Sequence, residues 1–196
     1  MFRSPIILKI LAIFLIGLVS IWGYFYYQTH IRIDQIILKE QPTQPLLMNE
    51  KMLTSTNIDR LVVFKSKRQM WAYEGETLVK IYPISLGFSP IGHKQFEGDG
   101  KTPEGVYKIN ERNPNSAYHK NLGISYPNEE DKAYAALHNK SAGGLIKIHG
   151  LRNGSGSIGR LHLLKDWTHG CIAVTNEEMD ELYEHVVHNA IIDIRP

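Results

Sequence analysis

The sequence predicts a mainly β domain of the α+β class with one C-terminal helix, preceded by a transmembrane helix. Three observations predict this architecture: an uncharged apolar stretch near the N-terminus, short alternating apolar runs from residue 58 onward, and a helix start signal close to the C-terminus. The 196 residues allow one domain of ordinary size. A content of 10% aromatic residues and a formal charge of +2 exclude a disordered chain.

The N-terminal segment has the length and composition of a membrane-spanning helix. Residues 10–27 contain no charged side chain, and a helix over 6–27, at about 1.5 Å per residue, spans the ~30 Å hydrocarbon layer of a bilayer. Trp22 and Tyr24 then lie near the far interface, where amphipathic rings are favoured. A cleaved signal peptide is the competing interpretation, but its apolar core is usually ~7–15 residues long and no small-residue cleavage site follows this one. We therefore expect residues 1–27 to form an uncleaved signal anchor.

The charges that flank this segment predict its orientation. Arg3 and Lys9 precede most of it, whereas the charge of Arg32 beyond it is offset by Asp34, so the positive-inside rule places the N-terminus in the cytoplasm. The remainder of the chain would then lie in the periplasm, on a single-pass protein of the inner membrane. Residues 28–57 are polar and contain prolines, which predicts a linker or stalk.

Residues 58–196 form the predicted domain, whose first half has the pattern of a β-meander. Its apolar runs are separated by polar breaks and turn residues; they cover residues 61–64, 69–73 and 78–84. The turn Thr102-Pro103-Glu104-Gly105 leads into another strand over 106–109. Residues 113–143 are polar and lack a clear periodicity, so we expect them to be irregular.

The second half of the domain predicts two strands and one helix. A strand over 145–149 is expected to bury Leu145, Ile146 and Ile148. Thr175-Asn176-Glu177-Glu178 is a capping box, in which the threonine hydroxyl and the second glutamate carboxylate bind each other's backbone amides, so a helix begins here. A final strand covers 190–194. The apolar stripe of the helix consists of Met179, Leu182, Tyr183 and Val186.

Charge and motif content exclude several functional classes. Residues 58–196 carry seventeen Lys and Arg against seventeen Asp and Glu, and a neutral domain lacks the basic surface that nucleic acid requires. A single cysteine excludes an internal disulfide and a zinc–thiolate cluster, and no histidine pair has convincing metal-ligand spacing. Gly154-x-Gly156-x-x-Gly159 matches a dinucleotide-binding pattern without the βαβ unit that this pattern requires. We therefore expect no metal and no organic cofactor.

The single cysteine, Cys171, is the strongest candidate for chemistry. A thiol attacks a carbonyl group as thiolate and needs a nearby base. Two histidines are candidates: His169, two residues away, and His149, which ends the preceding predicted strand. Amides around Gly170 and Cys171 would serve as an oxyanion hole. An inert buried cysteine is the alternative, but free thiols are disfavoured in exported domains because they oxidise, which favours a nucleophile.

The residues around the cysteine resemble the signature of a known family. His149-Gly150, a spacer, and Thr168-His169-Gly170-Cys171-Ile172 are similar to the motif of the YkuD-type L,D-transpeptidase catalytic domain. The turn Thr102-Pro103-Glu104-Gly105 also matches, and residues 113–128 resemble the YafK-like branch of that family. The resemblance covers the whole predicted domain. Ala173 departs from the asparagine or arginine of most members, which affects the choice of acceptor and not that of nucleophile.

The resemblance implies an L,D-transpeptidase-like β-sandwich and a role for each motif residue. Cys171 would be the acylated nucleophile and His149 the general acid and base, with its imidazole oriented by the backbone oxygen of Gly150. The other motif residues would shape the pocket and the oxyanion site; they are Thr168, His169 and Gly170. The candidate substrate-binding residues outside the motif core are Tyr118, His119, Arg152 and Trp167.

The resemblance also implies the substrate. Cys171 would attack the bond between diaminopimelate and D-alanine in a peptidoglycan stem peptide. Transfer of the acyl group to an amine would cross-link two stem peptides or attach a lipoprotein to the wall. Transfer to water would make the protein an L,D-carboxypeptidase or an amidase.

Two other functions stay open from the residues alone. A different thiol enzyme is one, although a papain-like peptidase places its cysteine before its histidine, and a sortase would need an arginine after the cysteine, where only Arg195 is available. A non-catalytic peptidoglycan-binding protein with an unreactive thiol is the other.

Overall fold

The computed structural model describes residues 19–24, 26 and 57–196. Residues 19–24 and 26 are helical and exposed. No helix within the described ranges is long and apolar enough to cross a membrane. Most of the predicted anchor over 1–27 and nearly all of the predicted stalk over 28–57 lie outside the described residues, and both stay predictions.

Eight strands form one mixed sheet within residues 57–196, in the spatial order β3-β2-β1-β8-β4-β5-β6-β7. The strands are β1 (Ile58–Phe64), β2 (Gln69–Glu74), β3 (Thr77–Pro83), β4 (Gly105–Ser116), β5 (His119–Ile124), β6 (Lys147–His149), β7 (Ile172–Ala173) and β8 (Val186–Arg195). The helices are α1 (Glu129–Leu137), a 3-10 segment (Gly156–Leu164) and α2 (Asn176–His185).

The first three strands form the predicted meander. β1 pairs antiparallel with β2, and β2 pairs antiparallel with β3. Gly75 has a φ of +56° in the two-residue turn between β2 and β3, a conformation that such turns require. Along β2, Met70 and Ala72 are fully buried whereas Trp71 and Tyr73 are partly exposed, which is the alternation expected of a strand with one face in the core.

The last strand joins the two halves of the sheet. β8 lies between β1, to which it is parallel, and β4, to which it is antiparallel. Ile192 and Ile194 of β8 are buried in the same hydrophobic core as Leu61 of β1 and Tyr107 of β4. This strand therefore holds the meander against the half of the sheet that carries the cysteine motif.

The motif residues meet where β6 and β7 run side by side. β6 pairs antiparallel with β5 and parallel with β7, and His149 lies opposite Ala173. Because Cys171 directly precedes β7, this register brings the cysteine to the strand that His149 ends. The strand of His149 thus lies beside the segment that carries the cysteine.

The prediction of a single helix after an irregular stretch is wrong. Residues 113–143 contain the end of β4, all of β5 and helix α1. A capping box starts α1: the Asn128 side chain accepts a hydrogen bond from the Asp131 amide, and the Asp131 carboxylate accepts one from the Asn128 amide. This box uses asparagine and aspartate, whereas the sequence prediction relied on the threonine and glutamate form.

The strand before the motif histidine is shorter than predicted. β6 begins at Lys147 and not at residue 145. Leu145, which was expected in the core, is 80% exposed and has a φ of +57°, a conformation that interrupts an extended strand. Ile146 and Ile148 are buried, as predicted.

Helix α2 begins where the sequence predicts. Thr175 and Glu178 form the expected capping box, and Met179 and Leu182 are buried. Val186 is buried as well, but it begins β8 instead of continuing the apolar stripe of the helix. The final strand is correspondingly longer than the predicted range of 190–194.

A buried lysine fixes the long connection between β3 and β4 to the end of β1. Lys65 is 2% exposed, and its ammonium donates to the carbonyl oxygens of Gly92 (2.6 Å) and Thr102 (2.9 Å) and to the carboxylate of Glu104 (2.9 Å). All three N–H donors of the ammonium are therefore used. Burial lowers the pKa of Lys65, and the Glu104 carboxylate opposes that shift.

Replacement of Lys65 by methionine should destabilise the domain. The substitution keeps most of the volume but leaves one buried and two partly buried acceptors without their donor, which should lower the free energy of unfolding by about 3 kcal/mol. Urea denaturation measures this loss. Lys132→Met, at an exposed ion pair with Glu129, should change the unfolding free energy by less than about 1 kcal/mol. Equal effects of the two substitutions would contradict the role given to Lys65.

Candidate active site

Backbone hydrogen bonds hold the cysteine-bearing loop to the segment after β3. The Thr168 amide donates to the Leu86 carbonyl (3.1 Å), and the Phe88 amide donates to the Thr168 carbonyl (2.9 Å). Beyond the cysteine, Ser85 and Ala173 exchange two backbone hydrogen bonds (3.0 and 2.9 Å). The chain is thereby fixed on both sides of the cysteine.

Thr168 and Gly170 set the shape of the turn before Cys171. The Thr168 hydroxyl donates to the Cys171 carbonyl (2.7 Å) and accepts from the Gly170 amide (3.1 Å). Gly170 has a φ of +126°, and a Cβ there would lie 2.6 Å from the carbonyl oxygen of Lys101. Glycine is the residue that meets both conditions. Because Thr168 occupies the Gly170 amide, the Cys171 amide is the better candidate for an oxyanion donor.

The His149 imidazole is buried and held in one orientation. A carbonyl oxygen can only accept, so Nδ1 donates to the Gly150 oxygen (2.7 Å) and Nε2 is left as the proton acceptor. The rings of Tyr118 and Trp167 lie 4.8 and 5.7 Å from the imidazole. Burial lowers the pKa of His149, and the bond to Gly150 partly opposes the shift. The imidazole is therefore neutral at neutral pH and able to act as a base.

Burial also acts on the Cys171 thiol, which donates to the carbonyl oxygen of Leu145 at 3.6 Å. Desolvation raises the pKa of the thiol, while the Lys147 amide and the charges of Lys147 and Lys94 act in the opposite direction. A raised thiol pKa and a lowered imidazole pKa make Cys171 and His149 a neutral pair at neutral pH, and not a thiolate–imidazolium ion pair.

Cys171 and His149 line one pocket of about 340 Å³. The Trp167 and Tyr118 rings on its wall stack at 6.2 Å. The lining residues that the sequence predicted are Tyr118, His149, Trp167, Thr168, His169 and Cys171. The lining residues that it missed are Ser116, Asn121, Leu145 and Lys147.

Two of the candidate substrate-binding residues lie outside this lining. His119 Nε2 bonds the Asp180 carboxylate on α2 (2.7 Å), and Arg152 is an exposed residue after β6. His119 instead packs beside Gly150, whose carbonyl oxygen orients the His149 imidazole. A Cβ at Gly150 would lie 3.0 Å from the His119 Cβ and 2.7 Å from the Asn176 Oδ1.

The missed polar residues of the lining come from β5 and β6. Asn121 lies directly opposite His149 in the register of these strands, and Lys147 precedes His149 by two positions, on the same face. Strand alternation is the sequence signal that could have identified Lys147, because residues two positions apart on a strand lie on the same face. Asn121 could not be placed in this way, because its strand falls within the stretch that was expected to be irregular.

A second pocket of about 550 Å³ adjoins the first. Leu145 and His169 line both pockets, and Lys94 and Glu97 are among the other residues of the second. Lys94 is 3% exposed and bonds the Asp99 carboxylate (2.8 Å). Leu145 and His169 therefore form a boundary between two cavities next to the cysteine.

A larger pocket of about 930 Å³ surrounds His93 and Asp131. Both nitrogens of His93 are used: Nδ1 accepts from the Glu104 amide (2.9 Å) and Nε2 bonds one Asp131 oxygen (2.9 Å). The other Asp131 oxygen accepts from the Tyr107 hydroxyl (3.0 Å) and the Asn128 amide (2.9 Å). Groups that are fully bonded to one another serve the fold, so pocket size does not identify the functional site.

Comparison with known protein families shows the family to which the domain belongs. Residues 58–194, more than half of the chain, match the family model described as YkuD, the L,D-transpeptidase catalytic domain. The chain belongs to the YkuD family. The resemblance inferred from the motif is thereby confirmed.

Relatives of this YkuD domain match it over a part of their own length. YafK of Escherichia coli (strain K12), whose name gives L,D-transpeptidase activity only as a proposal, is 32% identical over 130 residues, 63% of this chain and 45% of YafK. A mutant structure of the helical cell shape determining protein Pgp2 from Campylobacter jejuni is 26% identical, with a TM-score of 0.55, over 72% of this chain and 48% of that one. Bd1075 of Bdellovibrio bacteriovorus is 26% identical, with a TM-score of 0.50, over 71% and 48%. The chain thus spans about half the length of the relatives it matches.

In this YkuD-family site, Gly150→Ala should impair the orientation of His149. The added Cβ would meet Asn176 and His119, and a shift of the Gly150 backbone that relieves these contacts would move its carbonyl relative to Nδ1. We expect the rate at which a carbapenem acylates the cysteine to fall roughly 10- to 100-fold, as measured by mass spectrometry. Lys132→Ala is the control, because Lys132 is exposed on α1 and lines neither pocket next to the cysteine. Equal rates for the two variants would contradict the orienting role.

Alkylation of Cys171 should follow its raised pKa. Because iodoacetamide reacts with the thiolate, the rate should rise with pH to a midpoint above that of an unburied cysteine. Lys147→Met should move the midpoint higher still, since it removes a charge that lowers the thiol pKa. Cys171 is the only cysteine of the chain, so labelling of the full-length protein measures it directly. A midpoint below the usual value would indicate a thiolate–imidazolium pair instead.

Proposed function

We propose that this chain is a membrane-anchored, cysteine-dependent L,D-transpeptidase that acts on peptidoglycan stem peptides. The observation that carries the proposal is the position of Cys171 and His149 in one pocket, with the imidazole held by Gly150 in the tautomer that can accept a proton. Membership of the YkuD family supports the substrate class. An inert buried cysteine would have no need of a base oriented in this way.

In the first proposed step, Cys171 forms a thioester with the stem peptide. His149 Nε2 takes the thiol proton as the sulfur attacks the carbonyl carbon of the diaminopimelate–D-alanine bond. The carbon–nitrogen bond then breaks, and the imidazolium returns the proton to the amine of the leaving D-alanine. A neutral resting pair suits this step, because the proton moves during the attack and not before it.

In the second proposed step, an acceptor amine attacks the thioester. His149 takes a proton from the amine, a carbon–nitrogen bond forms, the carbon–sulfur bond breaks and the thiol is restored. The 550 Å³ pocket beyond Leu145 and His169 supports an acceptor of some size, such as a second stem peptide or a lipoprotein that becomes attached to the wall.

Hydrolysis is the second candidate function. With water as the acceptor, the protein would be an L,D-carboxypeptidase or an amidase. Ala173 favours it. This residue is fully buried and bonded through its backbone to Ser85, at the position where most members of the family have asparagine or arginine. Its methyl group offers an amine acceptor no polar contact, and therefore no selection of amine over water.

The location of the enzyme is part of the same proposal. An anchor over residues 1–27 would hold the domain in the periplasm at the inner membrane, within reach of the wall. Pgp2 is described as a helical cell shape determining protein, which supports a role in wall remodelling for this chain.

Cys171→Ala should abolish the processing of tetrapeptide muropeptides, and His149→Gln should slow it roughly 10²- to 10⁴-fold, because each removes one half of the proton-transfer pair. The full-length chain and its variants are incubated with the muropeptides, and the products are identified by mass spectrometry. His188→Gln, at an exposed histidine outside the pocket, should retain the wild-type rate.

The products of that experiment also identify the acceptor. A cross-linked dimer indicates transpeptidation, loss of D-alanine alone indicates a carboxypeptidase, and release of a wall-attached protein indicates an amidase. Unchanged muropeptides together with an unmodified Cys171 would contradict an enzyme and favour a non-catalytic peptidoglycan-binding protein.

A further inference from the structure

We infer that Asn121 and Lys147 recognise a zwitterionic amino-acid end of the substrate, in which one carbon carries both an ammonium and a carboxylate group. This role rests on the proposed function, because both residues line the pocket of Cys171. It assigns substrate selection to two residues that lie outside the cysteine motif.

The sheet places these two side chains on one face with His149. Asn121 of β5 lies opposite His149 of β6, and Gly123 lies opposite Lys147. Side chains two positions apart on a strand share a face, so Asn121, Lys147 and His149 point to the same side. Diagonal neighbours on adjacent strands are roughly 7–8 Å apart, a span that an α-amino acid covers with one hydrogen bond at each end.

Asn121 presents an unpaired acceptor to the pocket. The residue is 5% exposed, and its Oδ1 is buried without a hydrogen-bond partner among the residues that the structure describes. The indole nitrogen of Trp167, in the same lining, is likewise buried and unpaired. Buried polar atoms of folded proteins are nearly always paired, so these two atoms point to a ligand that supplies a donor and an acceptor. An ammonium group is a suitable donor for Oδ1.

Lys147 supplies a positive charge to the same lining. Its ammonium lies 3.0 and 3.1 Å from the two carboxylate oxygens of Glu111, and its side chain is 20% exposed. The ion pair reaches across Gly123, where a Cβ would lie 2.7 Å from the Glu111 Cβ. Glu111 accepts two of the three N–H donors, which leaves one for a substrate carboxylate. Glu111 is thus a positioning residue for Lys147.

An acceptor and a cation on one face fit a ligand that carries a donor and an anion together. The free end of diaminopimelate has this chemistry, because its amino and carboxylate groups share one carbon. The D-alanine of the stem carries a carboxylate, but its nitrogen belongs to the bond that breaks. A stem that carries lysine in place of diaminopimelate has the ammonium without the carboxylate.

Two modified tetrapeptide stems test the assignment on the full-length chain. In one, the free-end carboxylate of diaminopimelate is a carboxamide; in the other, the free-end ammonium is replaced by hydrogen. The wild-type chain should prefer the unmodified stem over each by about tenfold in kcat/KM, the effect of one charged hydrogen bond. Lys147→Met should abolish the carboxylate preference, and Asn121→Leu the ammonium preference.

For Lys147, the experiment has to compare the kcat/KM values of the unmodified and modified stems as a ratio. Its charge also lowers the pKa of the Cys171 thiol, so Lys147→Met slows both stems, and this common effect cancels in the ratio. Asn121→Asp keeps an acceptor and should keep the ammonium preference, which gives a second variant if Asn121→Leu does not fold. Lys132→Met and Asn110→Leu, at exposed positions outside the pocket, should keep both preferences.

The assignment is overturned if Lys147→Met keeps the carboxylate preference, if Asn121→Leu keeps the ammonium preference, or if Asn121→Asp loses it. It is also overturned if Lys147→Met instead abolishes a preference for the free carboxylate of D-alanine, tested with a stem amidated at that position. Failure of the wild-type chain to process any stem would overturn the proposed function itself, which separates the two failures.

Discussion

The parallel pairing of β6 with β7 is the constraint on which the site depends. It pairs residues that are twenty-four positions apart in the chain, with His149 opposite Ala173, and the Val174 amide donates to the His149 carbonyl (3.0 Å). Parallel neighbours require a crossover, which the 3-10 segment provides. At the end of β6, Gly150 is enclosed by Asn176 at the start of α2 and by the β4–β5 hairpin. The carbonyl that orients the imidazole is therefore fixed by three separate elements.

Burial shifts the pKa values of the Cys171 thiol and the His149 imidazole in opposite directions, and both shifts favour the uncharged form. It raises the pKa of the Cys171 thiol and lowers that of the His149 imidazole. Lys147 partly compensates for the thiol, and the Gly150 carbonyl partly compensates for the imidazole. A free thiolate is readily oxidised. A thiol that stays protonated beside a neutral imidazole limits that reaction.

Local signals in the sequence were sufficient for the motif but not for the whole pocket. The Thr175 capping box and the β-meander depend on neighbouring residues, so the sequence predicts them. Leu145 shows the limit of hydrophobicity: it is apolar, but the chain turns at this position and exposes it at the pocket rim. Asn121 lies in the pocket because β5 pairs with β6, which places it opposite His149, twenty-eight residues later in the chain. Only the strand register shows this pairing. Helix α1 escaped prediction because Asn128 and Asp131 cap it in place of threonine and glutamate.

The connection between β3 and β4 explains why buried charge accompanies this site. Gly170 packs so closely on the Lys101 carbonyl that a Cβ would lie 2.6 Å from it, and the cysteine turn therefore requires Lys101 to stay in place. Asp99 holds this part of the connection by accepting from the amides of Gln95 and Lys101 (2.8 and 3.0 Å) and from the buried ammonium of Lys94 (2.8 Å). Apolar packing would tolerate a small displacement, whereas directional bonds to this partly buried carboxylate do not. The ion pair thus contributes to the geometry of the turn before Cys171, although Asp99 does not line the cysteine pocket.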